Sequence, residues 1–172
     1  LNSFIRKDNR KIWCLIMGGP TKYYDYSTKN MKHIFSIFYK LLKKKDFQLV
    51  VIPSMRTPLN TIHYAKEFFG ENHTVIMDVD KKAYLSALAI SENIIVTCDS
   101  SSMISEAALT GKPIYIANIL PKKNDIRFQR FRNLFRDLNI TRNLGEDVEN
   151  WTYQSLDETN RVAQIIKEKI NY

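Results

Sequence analysis

Five short, largely apolar runs, at residues 12–17, 48–52, 74–77, 94–96 and 114–117, lack the alternating polarity of a strand with one wet face. Runs of this kind read as strands buried on both sides, the pattern of a parallel sheet covered by helices. The segments between them carry apolar residues three and four apart. Met31, Ile34, Phe35, Phe38, Leu41 and Leu42 share one face of a helix that starts at Ser27 or Thr28. A helix over 60–69 turns Ile62, Ala65 and Phe69 inward and stops at Gly70, and residues 83–90 make a shorter one. Residues 126–138 form an amphipathic helix with Phe128, Phe131, Phe135 and Leu138 on one face. In a last helix, over 157–170, Val162, Ile165, Ile166 and Ile170 are expected to point inward. Residues 1–10 read as a polar lead-in and 143–153 as irregular. Strands that alternate with helices in this way give a doubly wound α/β sheet, which binds its ligands at the carboxyl ends of the strands.

The 172 residues are enough for one domain with a sizeable core. No apolar run approaches the length of a transmembrane helix and nothing resembles a signal peptide, so a cytoplasmic protein is expected. The formal charge of +8 favours phosphates, nucleic acids or anionic membrane surfaces. No nucleic-acid motif accompanies it, so nucleic acid is not an expected partner, while peripheral contact with an anionic inner-membrane surface stays open. Lys43, Lys44 and Lys45 close a helix, where they offset its dipole. Arg127 and Arg130 read as a solvated face, or with Lys122 and Lys123 as a basic patch. Cys14 and Cys98 read as buried reduced thiols; metal-ligand spacing is absent and no cofactor is expected. The chain begins at Leu1, as a piece of a longer protein would.

Residues 97–113, TCDSSSMISEAALTGKP, combine a strand end, a serine turn, a helix, a glycine stop and the next strand. The unit points a hydroxyl-lined helix start at whatever lies above the sheet, a geometry that suits a phosphate. Asp99, Ser100, Ser101 and Ser102 form the turn, with Ser102 read as the N-cap. Glu106 lies one turn further on the same side. It can accept both hydroxyls of a ribose, or it is a dipole-stabilising acid on a solvated helix start. Two further loops leave strand ends with unusual content. Gly18 and Gly19 let the backbone approach a ligand and offer N–H groups to phosphate. Arg56, beside Thr57, offers a guanidinium fork. The glycine pair is not GxGxxG, so nicotinamide dinucleotide binding is not supported.

The serine turn, Glu106 and Gly111-Lys112-Pro113 resemble the sugar-nucleotide half-site of the GT-B superfamily, glycosyltransferases and UDP-N-acetylglucosamine 2-epimerases among them. The resemblance implies a Rossmann-like C-terminal domain, a diphosphate held at Ser100, Ser101 and Ser102, and a ribose held by Glu106. The epimerases usually carry glycines where this chain has Ser101 and Ser102. A closer match runs through Gly18-Gly19-Pro20, Ser54-Met55-Arg56-Thr57-Pro58, the serine turn, Trp151-Thr152-Tyr153 and Asp157-Glu158-Thr159. These segments are similar to the bacterial branch of the mitochondrial-fission (elongated-mitochondria) family, long labelled nucleoside-diphosphate-sugar epimerases. The family resemblance implies a single nucleotide-sugar-binding domain over 1–172, the partner of an N-terminal GT-B-like half. Its ligand would be a nucleoside diphosphate sugar, used for glycosyl transfer or epimerisation. The alternative is a non-catalytic scaffold acting at a protein or membrane surface.

Overall fold

The computed structural model describes Ile5 and residues 9–170. Six strands form one parallel sheet: β1 (Lys11–Met17), β2 (Phe47–Pro53), β3 (Thr74–Val75), β4 (Asn93–Thr97), β5 (Ile114–Ala117) and β6 (Thr141–Asn143). Between and after them run α1 (Thr28–Lys44), α2 (Leu59–Phe69), α3 (Lys81–Ile90), α4 (Ser101–Ala108), α5 (Ile126–Asp137) and α6 (Glu158–Ile170). The non-alternating runs are buried as their composition requires: every residue of β2, β4 and β5 is buried.

Local chemistry sets the helix ends. The Ser27 hydroxyl accepts from the Asn30 N–H at 3.4 Å and starts α1. The Asp80 carboxylate accepts from the Lys82 and Ala83 N–H groups and starts α3. Lys112 reaches the other end of α3 and donates to the Leu88 carbonyl at 2.8 Å, a C-terminal cation on the helix dipole. Phe35 of α1 packs on Tyr64 and Phe69 of α2, with ring centroids 5.3 and 5.0 Å apart.

The strand order is β3-β2-β1-β4-β5-β6. The chain steps outward from β1 to β3, returns to the other side of β1, and steps outward again. β1 and β4 therefore lie side by side, with Leu15 opposite Ile95 and Ile16 opposite Val96, while their exit loops part in opposite directions. The crevice at this reversal is where doubly wound sheets bind ligands.

Four expectations need correction. β6, beyond residue 138, is a short edge strand where the sequence shows no apolar run. Leu138 is exposed instead of packed. α4 begins two residues earlier than expected, with Ser100 and not Ser102 as its cap. Val162, Ile165, Ile166 and Ile170 do not point inward: α6 has no buried residue, because nothing among the described residues covers its apolar stripe.

Candidate functional site

Three exit loops are tied together over the reversal point. The Asp99 side chain is fully buried and accepts three donors. Gly19 N–H reaches Oδ2 at 2.9 Å, Tyr26 Oη reaches Oδ1 at 2.6 Å, and Arg56 Nη2 reaches Oδ2 at 3.2 Å. The Thr97 hydroxyl lies 2.9 Å from Tyr26 Oη, to which it donates, and its oxygen accepts the Gly18 N–H at 2.8 Å. Burial, then the adjacent Asp99 charge, pushes the Tyr26 hydroxyl well above its ordinary pKa, so it stays a donor. On the other side, the Thr57 and Ser54 hydroxyls meet the Gly18 carbonyl at 2.5 and 2.9 Å.

This knot explains the glycines. A Cβ on Gly18 would lie 2.1 Å from Asp99 Oδ2, and one on Gly19 would lie 2.1 Å from the Arg56 carbonyl. The loops approach each other. Gly18 and Gly19, expected to offer N–H groups to phosphate, spend them on Thr97 and Asp99. Asp99 and Thr57, expected at the ligand, are interior braces. Sequence reading missed Tyr26, which lies 73 residues from its carboxylate partner. An O–H in the loop between β1 and α1, with Thr97 and Asp99 closing β4, was the available signal.

The open donors lie at α4. No side chain caps its first turn, and Ser100 Oγ lies 3.3 Å from Ser102 Oγ. Ser102 and Glu106 are exposed on one side of the helix and line a cavity of about 260 Å³. Pro53, Met55, Val79, Tyr84 and Met103 make its wall largely apolar, and Ser54, Asp80 and Lys81 also line it. Tyr84 Oη donates to Glu106 Oε2 at 2.7 Å, which leaves Oε1 for a ligand. Burial and that bond raise the Tyr84 pKa and keep its proton in place. Of the four residues expected at the ligand here, Ser102 and Glu106 line this cavity, while Ser100 is buried at the helix cap and Ser101 is half-buried beside it. Arg56 stands across the crevice with nearly half its side chain exposed, its Nη2 donating to Asp99 and its Nη1 to the Gly19 carbonyl at 3.3 Å.

A second network was not foreseen. Arg132 of α5 donates to Tyr24 Oη at 2.9 Å, to the Cys98 carbonyl at 3.2 Å and to Asp125 Oδ2 at 3.1 Å. Tyr24 and Gln129 also donate to Asp125. Burial alone would push the Asp125 carboxyl up, but these bonds and the Arg132 charge hold it below the usual carboxylate range. Among the described residues no group of three or more His, Cys, Asp or Glu is arranged to hold a metal ion. No helix among them is long and apolar enough to cross a membrane.

The fold is that of a Rossmann-like domain, of the kind found in the sugar-nucleotide epimerases. The chain is similar to the UDP-GlcNAc 2-epimerase of Methanocaldococcus jannaschii, with a TM-score of 0.59 and 15% identity over 97% of this chain and 48% of that one. It is similar also to the Neisseria meningitidis UDP-GlcNAc 2-epimerase solved with UDP-GlcNAc, with a TM-score of 0.52 and 17% identity over 99% of this chain and 38% of that one. At these identities the likeness is one of fold. The particular family comes from sequence: the chain belongs to the family described as Mitochondrial fission ELM1, whose profile matches residues 1–170. Protein RP120 of Rickettsia prowazekii is 30% identical over 92% of this chain. Mitochondrial fission protein ELM1 of Arabidopsis thaliana is 30% identical over 68% of it. The chain spans 46% of the rickettsial relative's length and 28% of the plant protein's.

Proposed function

We propose that this chain is the nucleoside-diphosphate-sugar-binding half of a two-domain GT-B-type protein. The observation that carries the reading is the uncapped start of α4 with Glu106 one turn further along, its carboxylate facing an open cavity. Free N–H groups at a helix start favour a diphosphate, and the serine hydroxyls add donors beside them. Arg56 supplies a cation from the opposite lip. Glu106 accepts from the ribose hydroxyls, and the apolar wall of Val79, Met55 and Met103 receives the base.

The chemistry follows from the charge. When a sugar departs, negative charge grows on the nucleoside diphosphate, and donors already aimed at it lower the barrier. Glycosyl transfer and epimerisation share this step. The acceptor and the proton-transfer group would come from the other half, so this chain alone binds and does not turn over. Calorimetric titration with UDP tests the reading. Saturable binding that falls about tenfold or more in Glu106→Ala, with the melting temperature kept, supports it. No saturable binding of any nucleoside diphosphate overturns it. Sedimentation with anionic liposomes that ignores Glu106, in place of nucleotide binding, would favour the scaffold role.

A further inference from the structure

The nucleotide reading leaves unused a cavity of about 250 Å³ between α5 and the carboxyl ends of β5 and β6. α5 turns Gln129, Arg132, Asn133 and Arg136 toward it, spaced i, i+3, i+4 and i+7 on one face. The helix packs its apolar stripe, Phe128, Phe131 and Phe135, on the core, and this neighbouring face is guanidinium and amide. From the sheet side Ile116, Asn118, Thr141, Arg142 and Asn143 complete the wall, and no carboxylate lines it.

The wall is built rather than loose. Arg132 is braced by Tyr24, the Cys98 carbonyl and Asp125 and is mostly buried. The Arg142 guanidinium stacks over the Trp151 ring at 4.4 Å. Asn118 Nδ2 donates to Asn143 Oδ1 at 2.9 Å. The acids near these arginines stand outside the cavity. Asp125 lies buried behind Arg132. Glu149 pairs with Arg142, and Asp137 approaches Arg136 at 3.8 Å, both from exposed positions. Such solvent-screened pairs hold little energy, so a dianion entering the cavity competes with them readily. Planar guanidinium forks match phosphate oxygens two at a time.

We propose that this cavity is a second anion site that takes a phosphomonoester group on Arg136 and Arg142, with Asn118 and Asn133 closing around it and Arg132 as its back wall. It shares no residue with the α4 rim, Glu106 or Arg56, so it stands or falls apart from the nucleotide reading. The cavity is closed by one helix and two strand ends and admits one phosphate-bearing group, not a polymer backbone. The group is that of a soluble phosphorylated metabolite or of a phosphatidate headgroup.

Amide NMR of the protein titrated with inorganic phosphate, at ionic strength matched with chloride, tests the site. The expected result is saturable shifts at Asn118, Arg142 and Asn143. Their affinity should fall about tenfold in Arg136→Gln and in Arg142→Gln, while the melting temperature and UDP titration of Arg136→Gln stay at wild-type values. Vesicles of phosphatidylcholine with and without phosphatidic acid separate the sources. Phosphatidate-dependent sedimentation that Arg136→Gln abolishes assigns a lipid headgroup. Phosphate shifts without vesicle binding assign a soluble phosphoester. Absence of saturable shifts at the β5 and β6 ends, or shifts that both variants leave unchanged, overturns the proposal. Shifts confined to the α4 rim overturn it too, and leave the nucleotide reading standing.

Discussion

Replacing Asp99 by asparagine keeps the shape of the buried side chain and removes its charge. Three donors, from Gly19, Tyr26 and Arg56, converge on the two carboxylate oxygens. The side-chain amide in Asp99→Asn has one acceptor oxygen. In its better orientation that oxygen keeps Gly19 and Arg56, while the NH₂ group meets Tyr26, whose proton must turn to Thr97. A hydrogen bond to a charged acceptor contributes ~1.5–3 kcal/mol against ~1 for a neutral one. Gly19 and Tyr26 are the bonds that count, and the Arg56 pair is discounted because that guanidinium is nearly half exposed. The expected loss is ~2 kcal/mol. Asp99→Ala also orphans the buried Gly19 N–H, a further ~2 kcal/mol, and should lose ~4 kcal/mol in all. Urea unfolding measures both. With a slope of ~2 kcal/mol per molar, the midpoint should drop by ~1 M in Asp99→Asn and ~2 M in Asp99→Ala. Tyr26→Phe in the same background should be non-additive by more than ~0.5 kcal/mol. A midpoint for Asp99→Asn equal to wild type would refute the claim that this carboxylate ties the three loops together.

Other outcomes follow from the same packing. Gly19→Ala places a methyl 2.1 Å from the Arg56 carbonyl and should cost ~1–3 kcal/mol or more in the same urea assay, because backbone must move. Burial pushes the Cys14 and Cys98 thiols up to about 11, so neither should react with a thiol reagent at about pH 8 in the folded protein, and both should react once urea unfolds it. The Asp125 carboxyl is held below its unfolded value, so its contribution is present above that value and lost as the pH falls through the folded one. Acid titration of stability should therefore show a loss below about pH 4 that Asp125→Asn lacks.

How legible each part was depended on how local its cause was. Residues 12–17 and 94–96 carry their strand assignment in their own composition, because a strand buried on both faces needs nothing but apolar side chains. Ser27 announces α1 through a cap whose donor lies three residues on. The serine turn puts the α4 start two residues late, since any of three consecutive serines can cap and Ser100 takes the position with no side-chain bond to mark it. β6 is invisible because Thr141, Arg142 and Asn143 have no pattern, and pairing with β5 alone makes them a strand. The α6 stripe reads as a face to be covered, and nothing among the described residues covers it. The rim residues Ser102 and Glu106 are legible from a four-residue spacing. The Asp99 and Asp125 networks are not, because each is completed by a tyrosine from a distant loop, Tyr26 at 73 residues and Tyr24 at 101. Gly18 and Gly19 signal close approach, but the sequence does not say to what.

The most direct test pairs a ligand change with a protein change. UDP and 2′,3′-dideoxy-UDP are titrated into wild type and Glu106→Ala by calorimetry. If the Glu106 carboxylate holds the ribose, removing the hydroxyls weakens binding about tenfold in wild type and has almost no effect in Glu106→Ala. Equal losses in both proteins, or no nucleotide binding in either, would contradict a sugar-nucleotide site at the start of α4.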